Sequence, residues 1–357
     1  MIAAEAYSRQ DEIMAAATLL REGGVVAFPT ETVYGLGAEI SNPSAVRRVF
    51  EIKKRPADHP LIVHFADASD LDHWAREVPA QAWRLAERLW PGPLTLILPR
   101  TRHVPESVTG GQDTVGLRVP DHPVALALLQ ELGRERALAA PSANRFGRIS
   151  PTTAAHVAAE LGDAVDMILD GGSCRIGLES TIVGFEGKTP VILRPGGIPM
   201  EELAEILGGT VVMLRPMTGT VRVPGALASH YAPATPLELC RSELLWPHAL
   251  ELEATGARVA VVTWSAQDLS QRGGAKNKRV LHFSMPAEPA SYGRLLYASL
   301  RQLDAERLDR LLVEMPPEGS AWAAITDRLR RAGWTSSEEL QPRAGLAVQP
   351  DRHVETY

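Results

Sequence analysis

Along the first two hundred residues, short apolar runs rich in valine, isoleucine and leucine alternate with longer stretches whose apolar positions return every three or four residues. The runs at 25–28, 61–65, 94–98, 115–119, 167–169, 181–185 and 191–194 predict strands; the periodic stretches at 11–22, 79–89, 122–132 and 152–161 predict helices. A further helix opens at Asn42-Pro43, a capping amide followed by proline at the first helical position. Val46, Val49 and Phe50 repeat along its face, and Arg55-Pro56 closes it. Such alternation predicts an α/β sheet covered by helices. From 208 to 236 the rhythm stops in a crowd of glycines and prolines, which reads as a linker or lid. A second alternation follows, with strands at 259–264, 280–283 and 311–314 and helices near 290–304 and 320–332, and predicts a smaller α/β domain. The expected organisation is a larger α/β domain at 1–207, a linker or lid at 208–236, the small domain at 237–345 and a tail at 346–357.

Composition narrows the function classes. At 357 residues, 45% hydrophobic and 22% charged, the chain is globular and long enough for two cores. No run of about 18 apolar residues is present. Glu5, Asp11 and Glu12 stand where a signal peptide would carry positive charge, so a cytoplasmic protein is expected. Two cysteines, Cys174 and Cys240, are too few for a disulfide framework or a structural zinc cluster. Residues 1–210 carry 20 basic and 27 acidic side chains, the remainder 17 and 16. Neither part is the basic body of a nucleic-acid binder, and any polyanion bound should be small.

No GxxxxGK[ST] loop occurs and no GxGxxG follows a strand, which excludes the familiar nucleotide loops. Five polar clusters lie instead beside strands, where α/β sheets hold ligands. PTETVYGLG, 29–37, offers hydroxyls and bare backbone, or only a turn. KKRPADHPLIVHF, 53–65, puts two of the chain's five lysines side by side, either as a helix C-terminal cap or as phosphate charge. In TVGLRVP, Arg118 sits within an apolar strand pattern and needs an anion, for which a carboxylate fork is suited. APSANRFGRISPT follows a strand at 138–140, and LESTIV with ILRPGG presents Ser180 and Arg194 from neighbouring strands.

Together, PTETVYGLG, KKRP with HPLIVH, PGPLTLIL, VGLRVP, PSAN with SPT, LESTIV and LRPGG closely resemble, in this order, the YrdC-like domain. HYAP at 230–233 and the YGRLLYASLRQLD helix resemble the linker and C-terminal domain of the two-domain threonylcarbamoyl-AMP synthases. The resemblance implies a twisted mixed open sheet with helices around a concave site, plus a Rossmann-like C-terminal domain. It implies that L-threonine, bicarbonate and ATP, with Mg2+ carried mainly by the phosphates, give threonylcarbamoyl-AMP and pyrophosphate. A transferase complex, met transiently, then uses the product to modify tRNA beside the anticodon, with no stable direct tRNA binding by this chain.

Carried onto this sequence, the resemblance places Thr32, His64, Arg118, Ala140 and Ser180 around threonine. It places Arg55, His59, Thr114, Ser142, Asn144, Ser150, Arg194 and Tyr231 around ATP. Lys53, Arg55 and Arg194 are the expected charge stabilisers, without a covalent nucleophile. His59 stands where the family usually has asparagine, and VPGALASHYAP lacks the basic and aromatic residues the linker usually carries before His230. Two other readings exist: an RNA-binding module with a basic concave surface, and a carbamoyltransferase of another pathway. The acidic first part opposes the former, and the scarcity of cysteines opposes the zinc-bearing form of the latter.

Overall fold

The structure, a computed structural model, describes residues 8–209, 212–213, 222–225, 231–265 and 280–335. The tail and the greater part of the 208–236 linker lie outside these residues.

Ten strands form the larger sheet: β1 (Val26–Phe28), β2 (Gly35–Glu39), β3 (Ile62–His64), β4 (Leu94–Pro99), β5 (Thr114–Arg118), β6 (Leu138–Ala139), β7 (Met167–Ile168), β8 (Thr181–Glu186), β9 (Thr189–Arg194) and β10 (Val212–Met213). Their order is β10-β9-β8-β4-β5-β3-β6-β2-β1-β7, with parallel and antiparallel pairs mixed. Successive residues of a strand point to opposite faces, and the core follows that alternation. Val25 and Ala27 join one cluster, Val26 and Phe28 the other. Helices Arg9–Arg21 and Pro123–Leu132 cover the second face with Ala16, Leu20, Leu128 and Leu129. Helices Pro43–Lys53, Ala80–Leu89 and Ala154–Leu161 cover the first. The Asn42 amide caps the Pro43–Lys53 helix by accepting from the backbone of Ser44 and Ala45 at 3.1 Å.

Five parallel strands build the smaller sheet: β11 (Leu237–Cys240), β12 (Val259–Thr263), β13 (Val280–Ser284), β14 (Arg310–Glu314) and β15 (Trp334–Thr335), in the order β13-β12-β14-β11-β15. Helix Pro289–Asp304 joins the two bodies. Its Tyr292, Leu296, Tyr297 and Leu300 share one buried cluster with Val33, Ile149 and Leu178 of the larger body. The contact is close: a Cβ on Gly177, at φ +77°, would lie 2.5 Å from the Arg294 carbonyl oxygen.

Candidate functional site

One pocket forms where the loops after β1 and β6 meet the ends of β3, β5 and β9 and the approach to β8. All five residues expected around threonine line it: Thr32, His64, Arg118, Ala140 and Ser180. So do Arg55, Ser142, Arg194 and Tyr231 of the expected nucleotide set, together with Glu31's neighbours Thr30 and Thr32 and the carboxylate residue Glu179.

The side lined by the residues expected around threonine is held by hydroxyl and charge pairing. Thr30 Oγ1 accepts from the backbone of Thr32 and Val33 at 3.2 Å and donates to the Val33 carbonyl at 2.6 Å, which fixes the turn leaving β1. Arg118 ends β5 and is 4% exposed. Its Nη2 donates to Glu31 at 2.7 Å and to Thr32 Oγ1 at 2.8 Å, its Nε to the Gly92 carbonyl at 3.4 Å. Glu31, 1% exposed, also accepts from the Asp121 backbone at 3.0 Å. The guanidinium is thus oriented through Nε and Nη2, and among the described residues no hydrogen bond engages Nη1. A substrate carboxylate can be met by that free edge.

His64 lies on β3 with Nδ1 3.3 Å from the Ile62 carbonyl. A carbonyl only accepts, so Nδ1 carries the hydrogen and Nε2 keeps its lone pair. Burial, reinforced by the Arg118 charge, pushes the imidazole down to about 3. Titration of 15N-histidine-labelled protein from pH 8 to 5 should leave His64 as the neutral Nδ1–H form. A midpoint near 6.5 would mean that the ring is not enclosed as described.

The side expected to take the nucleotide is cationic. Arg194 ends β9 and donates from Nη2 and Nε to the Ser180 carbonyl at 2.8 and 3.3 Å, and from Nη1 to the Pro224 carbonyl at 2.9 Å. Arg55 donates Nη2 to the Pro60 carbonyl at 2.9 Å; its Nε is buried without an acceptor among the described residues. Burial, with Arg194 adding repulsion, brings the Arg55 guanidinium down to about 10, so it remains charged at neutral pH. Both arginines bond carbonyls rather than carboxylates, which leaves their charge for an anion. Gly225 closes this side at φ +76°, where a Cβ would fall 2.1 Å from the Tyr231 hydroxyl oxygen and 3.0 Å from Arg194 Nη1.

Five expected contacts stand elsewhere. Lys53, expected at the phosphates, donates Nζ to the carbonyls of Ser142 at 2.5 Å and Asn144 at 2.6 Å. Burial, with repulsion from Arg55, holds its pKa well below the usual lysine value. It reaches the pocket only through the loop it fastens. Asn144 donates to the carbonyls of Arg145 at 2.7 Å and Arg148 at 2.9 Å, and its Oδ1 is buried without a donor. Ser150 donates to Glu179 at 2.6 Å. His59 packs edge-on against Phe146 at 5.3 Å, outside the pocket wall. Thr114 opens β5 opposite Pro99 and borders a different cavity with Ile97 and Leu193.

Sequence reasoning missed Glu31 and Glu179. A carboxylate between two turn threonines, in a chain with a lone arginine inside a strand, was the available signal for Glu31. Nothing local marks Glu179, whose partners lie 29, 118 and 149 residues away.

Fold and pocket define an α/β enzyme that sets a fixed arginine–carboxylate–hydroxyl clamp beside two arginines that, among the described residues, hydrogen-bond carbonyl and hydroxyl oxygens. Residues 18–196 match the family described as "Telomere recombination" (Sua5, YciO and YrdC), and residues 198–333 match "Threonylcarbamoyl-AMP synthase, C-terminal domain". Threonylcarbamoyl-AMP synthase of Pyrococcus abyssi is 40% identical over 333 residues, covering 90% of this chain and 94% of that protein. The Bacillus subtilis enzyme of the same name is 41% identical, covering 92% and 94%. The crystal structure of P. abyssi Sua5 complexed with L-threonine superposes with a TM-score of 0.83 at 38% identity, covering 92% of this chain and 95% of that one. The chain belongs to the threonylcarbamoyl-AMP synthase family, in its two-domain form.

Proposed function

We propose that the protein converts L-threonine, bicarbonate and ATP into threonylcarbamoyl-AMP and pyrophosphate, for threonylcarbamoyladenosine formation in tRNA beside the anticodon. The observation that carries this reading is the two-part pocket: the Arg118–Glu31–Thr32 clamp on one side, Arg55 and Arg194 on the other. Threonine's carboxylate takes the free edge of Arg118. Its amine, once neutral, bonds to the bicarbonate carbon as one C–O bond breaks and that oxygen leaves as water with an amine proton, giving a carbamate; the neutral Nε2 of His64 accepts a hydrogen bond from the amino acid. A carbamate oxygen then forms a bond to the α-phosphorus as the bond to pyrophosphate breaks. Two anions have to meet, and Arg55 and Arg194 lower that barrier by placing fixed positive charge in a dry site. Ser142 and Tyr231 complete the nucleotide wall, with Lys53, Asn144 and Ser150 shaping it from behind.

Mg2+ is proposed to arrive on the ATP phosphates. Among the described residues no group of three or more His, Cys, Asp or Glu is placed to hold a metal; Glu179 in the pocket wall and Glu31 beside it are each committed to an arginine. The product would pass to a separate transferase. Among the described residues no helix is long and apolar enough to cross a membrane; a cytoplasmic location is proposed from the proposed role in tRNA modification. The domain limits proposed are 1–207 and 237–345, joined by a linker that brings Tyr231 to the pocket.

The test is purified protein with ATP, Mg2+, labelled bicarbonate and single amino acids. Label should enter an adenylate with threonine. Serine, lacking one methyl worth about 1–3 kcal/mol in a pocket, should react about 10–200-fold less efficiently. Equal turnover of serine and threonine would show that the pocket does not select the methyl group, and no adenylate with any amino acid would overturn the reading.

A further inference from the structure

The wall of a pocket built for a triphosphate contains a carboxylate, Glu179, 7% exposed. Its Oε1 accepts from Ser150 at 2.6 Å; its Oε2 accepts from the Tyr297 hydroxyl and from Arg328 Nε, both at 2.8 Å. Burial alone would raise this carboxyl, but Arg328 and then Arg194 outweigh it and hold it at about 2, so the charge is present. Unpaired, that charge would oppose the phosphates that Arg55 and Arg194 attract. Arg328, which offsets the charge, and Tyr297, which only hydrogen-bonds it, both come from the C-terminal body; Arg328 Nη1 also pairs with Asp327, whose other oxygen takes Arg331. The Arg328 side chain is fully buried, donates Nη2 to the Pro195 carbonyl at 3.0 Å just beyond Arg194, and lies 5.1 Å from the centre of the Tyr231 ring. Tyr231 in turn stacks on Tyr297 at 5.9 Å.

We propose that Arg328 is a positioning residue for the nucleotide half of the site: by neutralising Glu179 from behind the wall, it keeps the surface facing ATP positive. The C-terminal domain thereby supplies electrostatics to the active pocket and is more than an anchor for the linker. This rests on the reading of the pocket as an ATP site.

The experiment measures the KM for ATP and for threonine, and binding of a fluorescent ATP analogue, in full-length wild type, Arg328→Met, and the double variant Glu179→Gln with Arg328→Met. Arg328→Met should raise the ATP KM about 10–100-fold, in the range found when one member of a buried charge pair is removed, and leave the threonine KM within about threefold. Without Arg328 the Glu179 carboxyl titrates at higher pH, so the variant's ATP affinity should recover as pH falls from 8 to 6, whereas wild type stays flat. The double variant removes both charges of the Glu179–Arg328 pair, leaves Asp327 paired with Arg331, and should return to within about fivefold of wild type for ATP. A folded Arg328→Met protein with unchanged ATP KM overturns the proposal. So does a folded double variant that has lost ATP binding as severely as the single one, which would leave packing as Arg328's only role. Should the single variant not fold, the double variant alone decides, with a loss beyond about 30-fold counting against. If wild type binds the analogue but makes no adenylate, the functional reading fails while the binding comparison still judges Arg328.

Discussion

Arg118→Ala should abolish measurable threonine binding and lower the folding stability by about 3–5 kcal/mol, the usual result of removing one partner from a buried ion pair. The two effects have one origin. Arg118 and Glu31 face each other at 2.7 Å with side chains 5% and 1% exposed, so deleting the guanidinium strands a carboxylate in the interior and frees Thr32 from its donor. A double variant, Arg118→Met with Glu31→Gln, removes both charges and should recover most of the stability without recovering threonine binding. Arg118→Lys is the finer probe. It keeps the charge but cannot hold Glu31, Thr32 and a substrate carboxylate in one plane, and should weaken threonine by about 1.5–3 kcal/mol with little change for ATP. Differential scanning calorimetry and titration calorimetry read the two quantities separately. Loss falling mainly on the ATP side would remove Arg118 from the amino-acid half of the site.

The strands that carry the site were legible because each is a short β-branched or leucine-rich run with a turn at its end. β1, β3, β4, β5, β8 and β9 all lie within a residue or two of the expected positions. β2 was not, and physical chemistry explains why. Gly35-Leu-Gly-Ala-Glu39 has almost no strand propensity and forms because it is buried against β1 and β6, with Gly37 giving room to the Phe28 ring. Helix Ser242–Ala254 escaped because Pro247 lies inside it, where local rules end a helix. The site divides the same way. Hydroxyls and cations at strand ends could be read from the chain, whereas the surroundings of Lys53 could not. An ammonium two residues before Arg55 suggests phosphate, yet burial turns it toward the carbonyls of the loop that presents Ser142. Pairings such as Glu179 with Arg328 are properties of the assembled fold and have no sequence period.

The largest effect of all should come from ending the chain after Gly209. The fragment keeps both apolar clusters that sandwich the ten-stranded sheet and should fold. It should nevertheless be several kcal/mol less stable than the full protein. Val33, Ile149 and Leu178 lose their cover from helix Pro289–Asp304, at about 1.5–3 kcal/mol for each side chain returned fully to water. Glu179 keeps Ser150 but loses Tyr297 and Arg328, and Arg194 loses the Pro224 carbonyl. Adenylate formation should fall at least about 100-fold, because the wall facing the phosphates is left with an uncancelled carboxylate and without Tyr231. Acid titration gives an independent check. Glu179 is held below the 4.5 of an ordinary glutamate, at about 2, so its contribution is fully present above pH 4.5 and is lost as pH falls toward 2. The full chain should therefore lose stability across that window, and the fragment, whose Glu179 lacks Arg328, should lose less there. Thermal unfolding of both proteins between pH 7 and 2.5, alongside the adenylate assay, decides the matter. A fragment as active as the full chain would show that the C-terminal body contributes nothing to the pocket.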